Sequence, residues 1–230
     1  VTTLGLLGGM SWQSTELYYR AINEAVAARL GGHHSADLLL ASVDFAEIEA
    51  LQASGDWDAA ARLLGDRARG LVAAGADLLV LCTNTMHLVA PEIERAAGIP
   101  LLHIADPTGE ALVAGGHRRV ALLGTRFTME RDFYRSRLVT RYGLDVLIPD
   151  ADDRDTVHRV IYDELVHGIV TDPARDAYRD VIARLVAAGA DSVILGCTEI
   201  TLLIGPDDVS VPVFDTTALH AAAAVDAALA

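Results

Sequence analysis

The strongest constraint on the fold is an internal duplication. Leu71-Val-Ala-Ala-Gly-Ala-Asp77 recurs as Leu185-Val-Ala-Ala-Gly-Ala-Asp191. Each copy is followed by a short apolar run and then by Cys-Thr, as Cys82-Thr83-Asn84 and Cys197-Thr198-Glu199. From Leu71 to Leu185 is 114 positions and from Cys82 to Cys197 is 115, so the second copy carries one extra residue, assigned to Gly196. The starts of the halves also correspond. Leu4-Gly5-Leu6-Leu7-Gly8 parallels Val120-Ala121-Leu122-Leu123-Gly124, Leu17-Tyr18 parallels Phe133-Tyr134, and Ile99-Pro100 parallels Val211-Pro212. The period is too long for a solenoid unit. Two similar lobes related by a pseudo-twofold axis are expected.

Within each half, short apolar runs alternate with amphipathic stretches. Strands are expected at Thr3–Leu7, Leu38–Val43, Leu78–Leu81, Leu101–Ile104, Val120–Leu123, Asp145–Ile148, Ser192–Leu195 and Pro212–Phe214. Near-continuous Leu, Val and Ile runs mark strands buried on both faces, as in a parallel sheet covered by helices. Helices are expected at Ser14–Leu30, Asp56–Ala74 and Asp172–Ala188, with Gly75 and Gly189 ending the last two. The fold class is therefore α/β, with two lobes, each a mainly parallel sheet flanked by helices. The first lobe is drawn as residues 1–97, completed by 210–230, and the second as 98–209. No Ser/Pro-rich linker separates them, so close packing is expected.

Composition excludes several function classes. The net charge is −14, and all 18 basic residues are arginine. An acidic chain without a basic stripe is a poor partner for nucleic acid or an anionic membrane. Without lysine there is no Schiff base, which removes ordinary pyridoxal phosphate chemistry. Leu6-Leu-Gly-Gly-Met10 is not a dinucleotide fingerprint. Cys82-x4-His87 lacks the further Cys and His that a metal site needs, so no metal is expected. The start Val1-Thr2-Thr3-Leu4 has no basic targeting region, no apolar run is long enough to span a bilayer, and two cysteines make no disulfide framework. A reducing cytoplasm is the expected setting.

The two Cys-Thr motifs lie at the carboxyl ends of their strands, where open α/β sheets bind ligands. Two thiols reaching one ligand from opposite sides suit racemisation: one takes the α-proton and the other returns a proton to the opposite face. Cys82 and Cys197 are thus the candidate catalytic pair, with their sulfurs expected to flank a shared gap. A polar site or a helix N-terminus can lower a thiol from its usual pKa of about 8.5. Thr83, Asn84, Thr85 and Thr198 supply donors for developing charge, and Gly8 and Gly9 precede a helix start suited to a carboxylate. Met10 is placed as a pocket-lining residue and Glu199 as a helper of Cys197 or a grip for the substrate ammonium. Arg126 is a candidate cation, with Thr125 and Thr128 beside it.

Gly5-Leu-Leu-Gly-Gly-Met-Ser-Trp-Gln-Ser-Thr15, Cys82-Thr-Asn-Thr-Met-His87 and Gly196-Cys-Thr-Glu199 resemble the aspartate/glutamate racemase superfamily over nearly the whole chain. The similarity is greatest to the aspartate racemase branch and its broad-specificity amino-acid racemase subgroup. It implies two flavodoxin-like lobes, a cleft between them, no cofactor, often a homodimer, and catalysis by Cys82 and Cys197. It also raises Gln52 as a substrate-binding residue. Glutamate racemases of cell-wall supply carry an Asp-Ser in the first loop and Cys-Thr-His in the second half. Gly8-Gly9-Met10-Ser11 and Cys197-Thr198-Glu199 depart from that pattern. Relatives specific for aspartate hold the distal carboxylate with an Arg after the second strand and a Lys in the second half. Ser42–Glu49 has no arginine, and the chain has no lysine, which leaves Arg126, Gln52 or His167 to read the side chain. The same fold also carries small-diacid decarboxylases and cis–trans isomerases, and a non-catalytic amino-acid binding module is a further alternative.

Overall fold

The computed structural model describes residues 2–230; Val1 lies outside them. It divides into two compact units, one running to Ile104 and including His220–Ala230, the other Ala105–Leu219.

The first unit contains β1 (Leu4–Gly8), α1 (Trp12–Leu30), β2 (Leu38–Ser42), α2 (Phe45–Ser54), α3 (Trp57–Ala73), β3 (Leu78–Leu81), α4 (Ala90–Ala97) and β4 (Leu101–Leu102). Its four strands are parallel in the order β2-β1-β3-β4. Alternation along the strands feeds two cores. Leu4, Leu6, Val80 and Cys82 pack with Tyr18, Ile22 and Val26 of α1. Leu7, Leu79 and Leu81 pack with Ala60, Leu64, Ala68 and Leu71 of α3. Each such fully buried Leu or Ile contributes roughly 1.5–3 kcal/mol, so the double coverage is what the apolar strand composition is for.

The second unit contains α5 (Ala105–Ala114), β5 (Arg119–Gly124), α6 (Arg126–Glu130), α7 (Asp132–Tyr142), β6 (Asp145–Leu147), α8 (Ala151–Asp163), α9 (Asp172–Ala187), β7 (Ser192–Gly196) and β8 (Val213–Asp215). A last helix, α10 (Thr216–Leu229), starts here and ends in the first unit. The strand order β6-β5-β7-β8 repeats that of the first sheet, again parallel. Ala121, Leu123, Val193, Leu195 and Cys197 pack with Val157, Ile161, Tyr178, Ile182 and Leu185 of α8 and α9. On the other face Val120, Leu122 and Ile194 are also fully buried.

The helix starts follow side-chain chemistry. Ser11 caps α1 by accepting from the Ser14 N–H, Asp56 caps α3 through Ala59, and Thr171 caps α9 through Ala174. Such a cap is worth about 1 kcal/mol. α3 and α9 end in matching fashion, with Gly75 at φ 109° and Gly189 at φ 101°, a conformation that side chains with a Cβ avoid.

Two boundaries differ from expectation. β4 pairs with β3, so the first unit extends past residue 97 to Ile104. β8 pairs with β7, so residues 210–219 belong to the second unit. Each half needs a fourth strand to cover the flank of its central pair, and that strand lies just beyond the expected border.

Candidate active site

In the first unit the chain leaves β3 into a turn held from several sides. The Cys82 N–H donates to the Leu7 carbonyl at 2.9 Å. The Ser14 hydroxyl donates to the Cys82 carbonyl at 3.2 Å, which ties the turn to α1. His87 sits in the following 3₁₀ turn (Thr85–Val89), and its Nδ1 lies 2.7 Å from the Thr83 carbonyl. The glycine loop after β1 is braced by Thr15, whose hydroxyl accepts from the Gly9 N–H at 2.8 Å and donates to the Ser11 carbonyl at 2.9 Å. Ser14 and Thr15 have structural roles here that the sequence did not announce. The cue available was Ser14-Thr15 one turn after the glycines.

The Cys82 thiol is fully buried and directed at the Val80 carbonyl, 3.7 Å away. Desolvation holds it well above the ordinary thiol range. Of the other candidates in this unit, Met10 is buried in the core on the α3 side. Gln52, also buried, donates from Nε2 to the Met86 sulfur at 3.1 Å. Asn84 and Thr85 are buried, and Thr83 is half-buried. The two nitrogens of His87 both face backbone groups, and among the described residues no set of three or more His, Cys, Asp or Glu side chains is gathered to hold a metal.

In the second unit Cys197 follows β7 with its Sγ 3.0 Å from Glu199 Oε2. The thiol donates to the carboxylate. Burial, and then the Glu199 charge, hold Cys197 well above the usual thiol value. Both thiols are thus held up rather than lowered, against the expectation from a polar strand-end site. The reason is that each side chain turns into the apolar core beside its strand. Thr198 accepts from the Thr217 hydroxyl at 3.2 Å, and Thr216 donates to the Leu195 carbonyl at 2.9 Å. These two threonines start α10 and were not foreseen, because their contact with the Cys197 turn depends on where β8 ends. Thr125 caps α6 by accepting from the Thr128 N–H. Arg126, at the start of that helix, pairs with Asp155 of α8 at 2.7 Å, and its N–H donates to His158 Nδ1 at 3.1 Å. His167 ends a 3₁₀ turn (Leu165–His167).

The extra residue of the second copy has a structural consequence. With the helices matched, Leu79, Val80 and Leu81 correspond to Val193, Ile194 and Leu195, and Cys82 corresponds to Gly196. Side chains alternate faces along a strand, so one added residue puts Cys197 on the opposite face. Cys82 accordingly joins the core under α1, whereas Cys197 joins the core under α8 and α9.

The comparisons with known proteins agree with this architecture. The model of the Asp/Glu/Hydantoin racemase family matches residues 7–224, and the chain belongs to that family. Membership makes it a racemase, an isomerase. A candidate Asp/Glu racemase from Yersinia pestis is similar over 100% of both chains at 57% identity, with a TM-score of 0.94. PH1733, an aspartate racemase homologue from Pyrococcus horikoshii OT3, matches over 100% of both chains at 32% identity and a TM-score of 0.85. The broad specificity amino-acid racemase RacX of Bacillus subtilis is 22% identical over 182 residues, 76% of this chain and 75% of its own length.

Proposed function

We propose that this protein racemises aspartate or glutamate without a cofactor, with Cys82 and Cys197 as the two bases. What supports the proposal is that the chain belongs to the Asp/Glu/Hydantoin racemase family and that each half of the repeat ends its third strand in a cysteine, Cys82 after β3 and Cys197 after β7. One cysteine, as thiolate, takes the α-proton. The electron pair is delocalised into the substrate carboxylate, and the other cysteine, as thiol, returns a proton to the opposite face. The thiol and thiolate exchange places in each turnover, so the reverse reaction uses the same groups in swapped roles.

The two cysteines have unequal surroundings. Cys197 has a carboxylate partner in Glu199, which can accept the thiol proton as Cys197 becomes thiolate. Among the described residues Cys82 has only a backbone carbonyl as partner, and its role requires the side chain to turn out of the α1 core. Thr83, Asn84, Thr85, Thr125 and Thr198 supply the donors for the substrate carboxylate, with Met10 and Gln52 lining the side-chain subsite. Such pre-aimed donors contribute several kcal/mol to stabilising developing charge.

A broader specificity is a second reading, favoured by Arg126. Its guanidinium is already paired with Asp155, and Gln52 offers an amide rather than a cation. One experiment decides between them. Purified protein is incubated with a panel of L-amino acids and the products resolved by chiral chromatography. Aspartate or glutamate turning over at least about tenfold faster than neutral amino acids supports the dicarboxylate reading. Comparable rates on neutral side chains support the broader one, and turnover of none of them rejects both. We also propose that the protein is a cytoplasmic homodimer. Exposed Trp12 and Tyr19 on α1 and Leu40 on the edge strand β2 supply apolar surface for such an interface.

A further inference from the structure

The first unit contains a buried polar chain that the reaction above does not use. His87, His220 and Tyr18 are essentially inaccessible, and His103 nearly so. The ring of His87 meets that of His103 edge-on at 4.7 Å and that of His220 at 5.8 Å.

Hydrogen-bond chemistry fixes the tautomers. The Thr83 carbonyl can only accept, so the His87 Nδ1 that faces it at 2.7 Å carries the hydrogen. The Ile104 N–H can only donate, so the His87 Nε2 that receives it at 3.1 Å is bare. His87 is therefore neutral, and the Leu102 carbonyl is a further backbone partner of its ring. His220 is oriented in the same way. Its Nε2 donates to the Leu102 carbonyl at 2.8 Å, which leaves Nδ1 to accept the Tyr18 hydroxyl at 2.8 Å. The chain thus runs from the turn after Cys82 to the end of β4 and on to α1.

We infer that His87 is the positioning residue of Cys82: its Nδ1–H, donated to the Thr83 carbonyl, fixes the second peptide after the cysteine and so the backbone about which the Cys82 side chain rotates. Ser14 holds the preceding carbonyl, that of Cys82 itself. With both carbonyls pinned, the turn has little freedom left. The inference rests on the proposed role of Cys82. It adds that the donor half of the imidazole matters for catalysis, while the acceptor half, bonded to Ile104, serves the fold.

Two variants split the ring into those halves. His87→Asn keeps a donor near the Nδ1 position and loses the acceptor for Ile104. His87→Gln places its amide near the Nε2 position and loses the donor to Thr83. Each loses one buried hydrogen bond, so a purely structural role makes them equally impaired. The expected result is that H87N keeps kcat within about threefold of the parent while H87Q loses about tenfold or more, with KM moving less than kcat in both. Equal losses that track thermal stability, or a greater loss in H87N, overturn the inference. Cys82→Ser in the same assay separates the two levels. If C82S racemises at the parental rate, the role of Cys82 itself fails. If C82S is inactive and the two His87 variants are alike, only the positioning role fails. Should neither His87 variant fold, nitrogen-15 NMR of the parent protein still decides. The expected signal is a neutral Nδ1–H tautomer for His87, and an Nε2–H tautomer overturns the inference.

Discussion

Cys197 and Glu199 share a proton across 3.0 Å, and Cys82 shares its own with nothing stronger than a backbone carbonyl. This difference leads to two expectations. Glu199→Gln keeps the shape and removes the proton acceptor, and it should lower kcat by about a hundredfold, the lower end of the range for positioned acid–base groups; steady-state rates in both directions test it. Both thiols are held neutral near pH 7, so alkylation by iodoacetamide without substrate should be much slower than that of free cysteine and should rise with pH. Cys82, fully buried, should react more slowly than Cys197, which is 8% exposed. Peptide mapping of the labelled protein checks this, and labelling of Cys82 at the free-thiol rate would contradict it. At this scale the contact between Cys197 and Glu199 was legible, because the two stand two positions apart in the chain. Ser14, Thr216 and Thr217 were not legible, since their contacts join segments far apart in sequence.

Strand positions were readable almost to the residue, since runs buried on both faces are nearly pure Leu, Val and Ile. The misses have local causes. The fourth strand stops at Leu102 because the Ile104 N–H is taken by His87 instead of the sheet. The last strand starts at Val213 because Pro212 has no N–H to give. The displacement of one residue between the two copies was visible, but its effect on the face presented by each cysteine required the packing. Gly196 is the hinge of that effect. A Cβ there would lie 2.8 Å from the Leu123 carbonyl oxygen, a backbone atom of the neighbouring strand that cannot move aside alone. Gly196→Ala should therefore cost about 1–3 kcal/mol, read as a lower urea midpoint at an unchanged m-value.

For the molecule as a whole, the two-unit organisation was legible from the duplication, but its borders were not. The borders depend on which sheet the outer strands join, and Leu101-Leu102 and Val213-Phe214-Asp215 are too short to announce a partner. Stability should carry the mark of the buried histidines. Burial, with the neighbouring His103 and His220, holds His87 well below its usual pKa, and His158 is lowered as well. Folding holds both rings toward the neutral form. The unfolded chain takes up protons as pH falls through about 6.5, so stability is full above that pH and declines below it, by up to about 1.4 kcal/mol per pH unit for the fully buried His87. The lowered carboxylates Asp106, Asp191 and Asp208 act in the same direction only nearer pH 4, which keeps the windows apart. Melting temperatures between pH 7 and 5 test this, and a flat profile would contradict it.

The central claim is that two thiols from two repeated units serve a single α-carbon. Solvent deuterium incorporation tests it most directly, with enantiopure L- and D-aspartate or glutamate in D₂O and the parent compared with Cys82→Ser and Cys197→Ser. The parent should place deuterium in the product enantiomer as optical rotation decays. Each single variant should lose racemisation by at least about a hundredfold, with any residual exchange confined to one enantiomer and opposite for the two variants. Racemisation at the parental rate in either variant would show that the paired cysteines are not the bases.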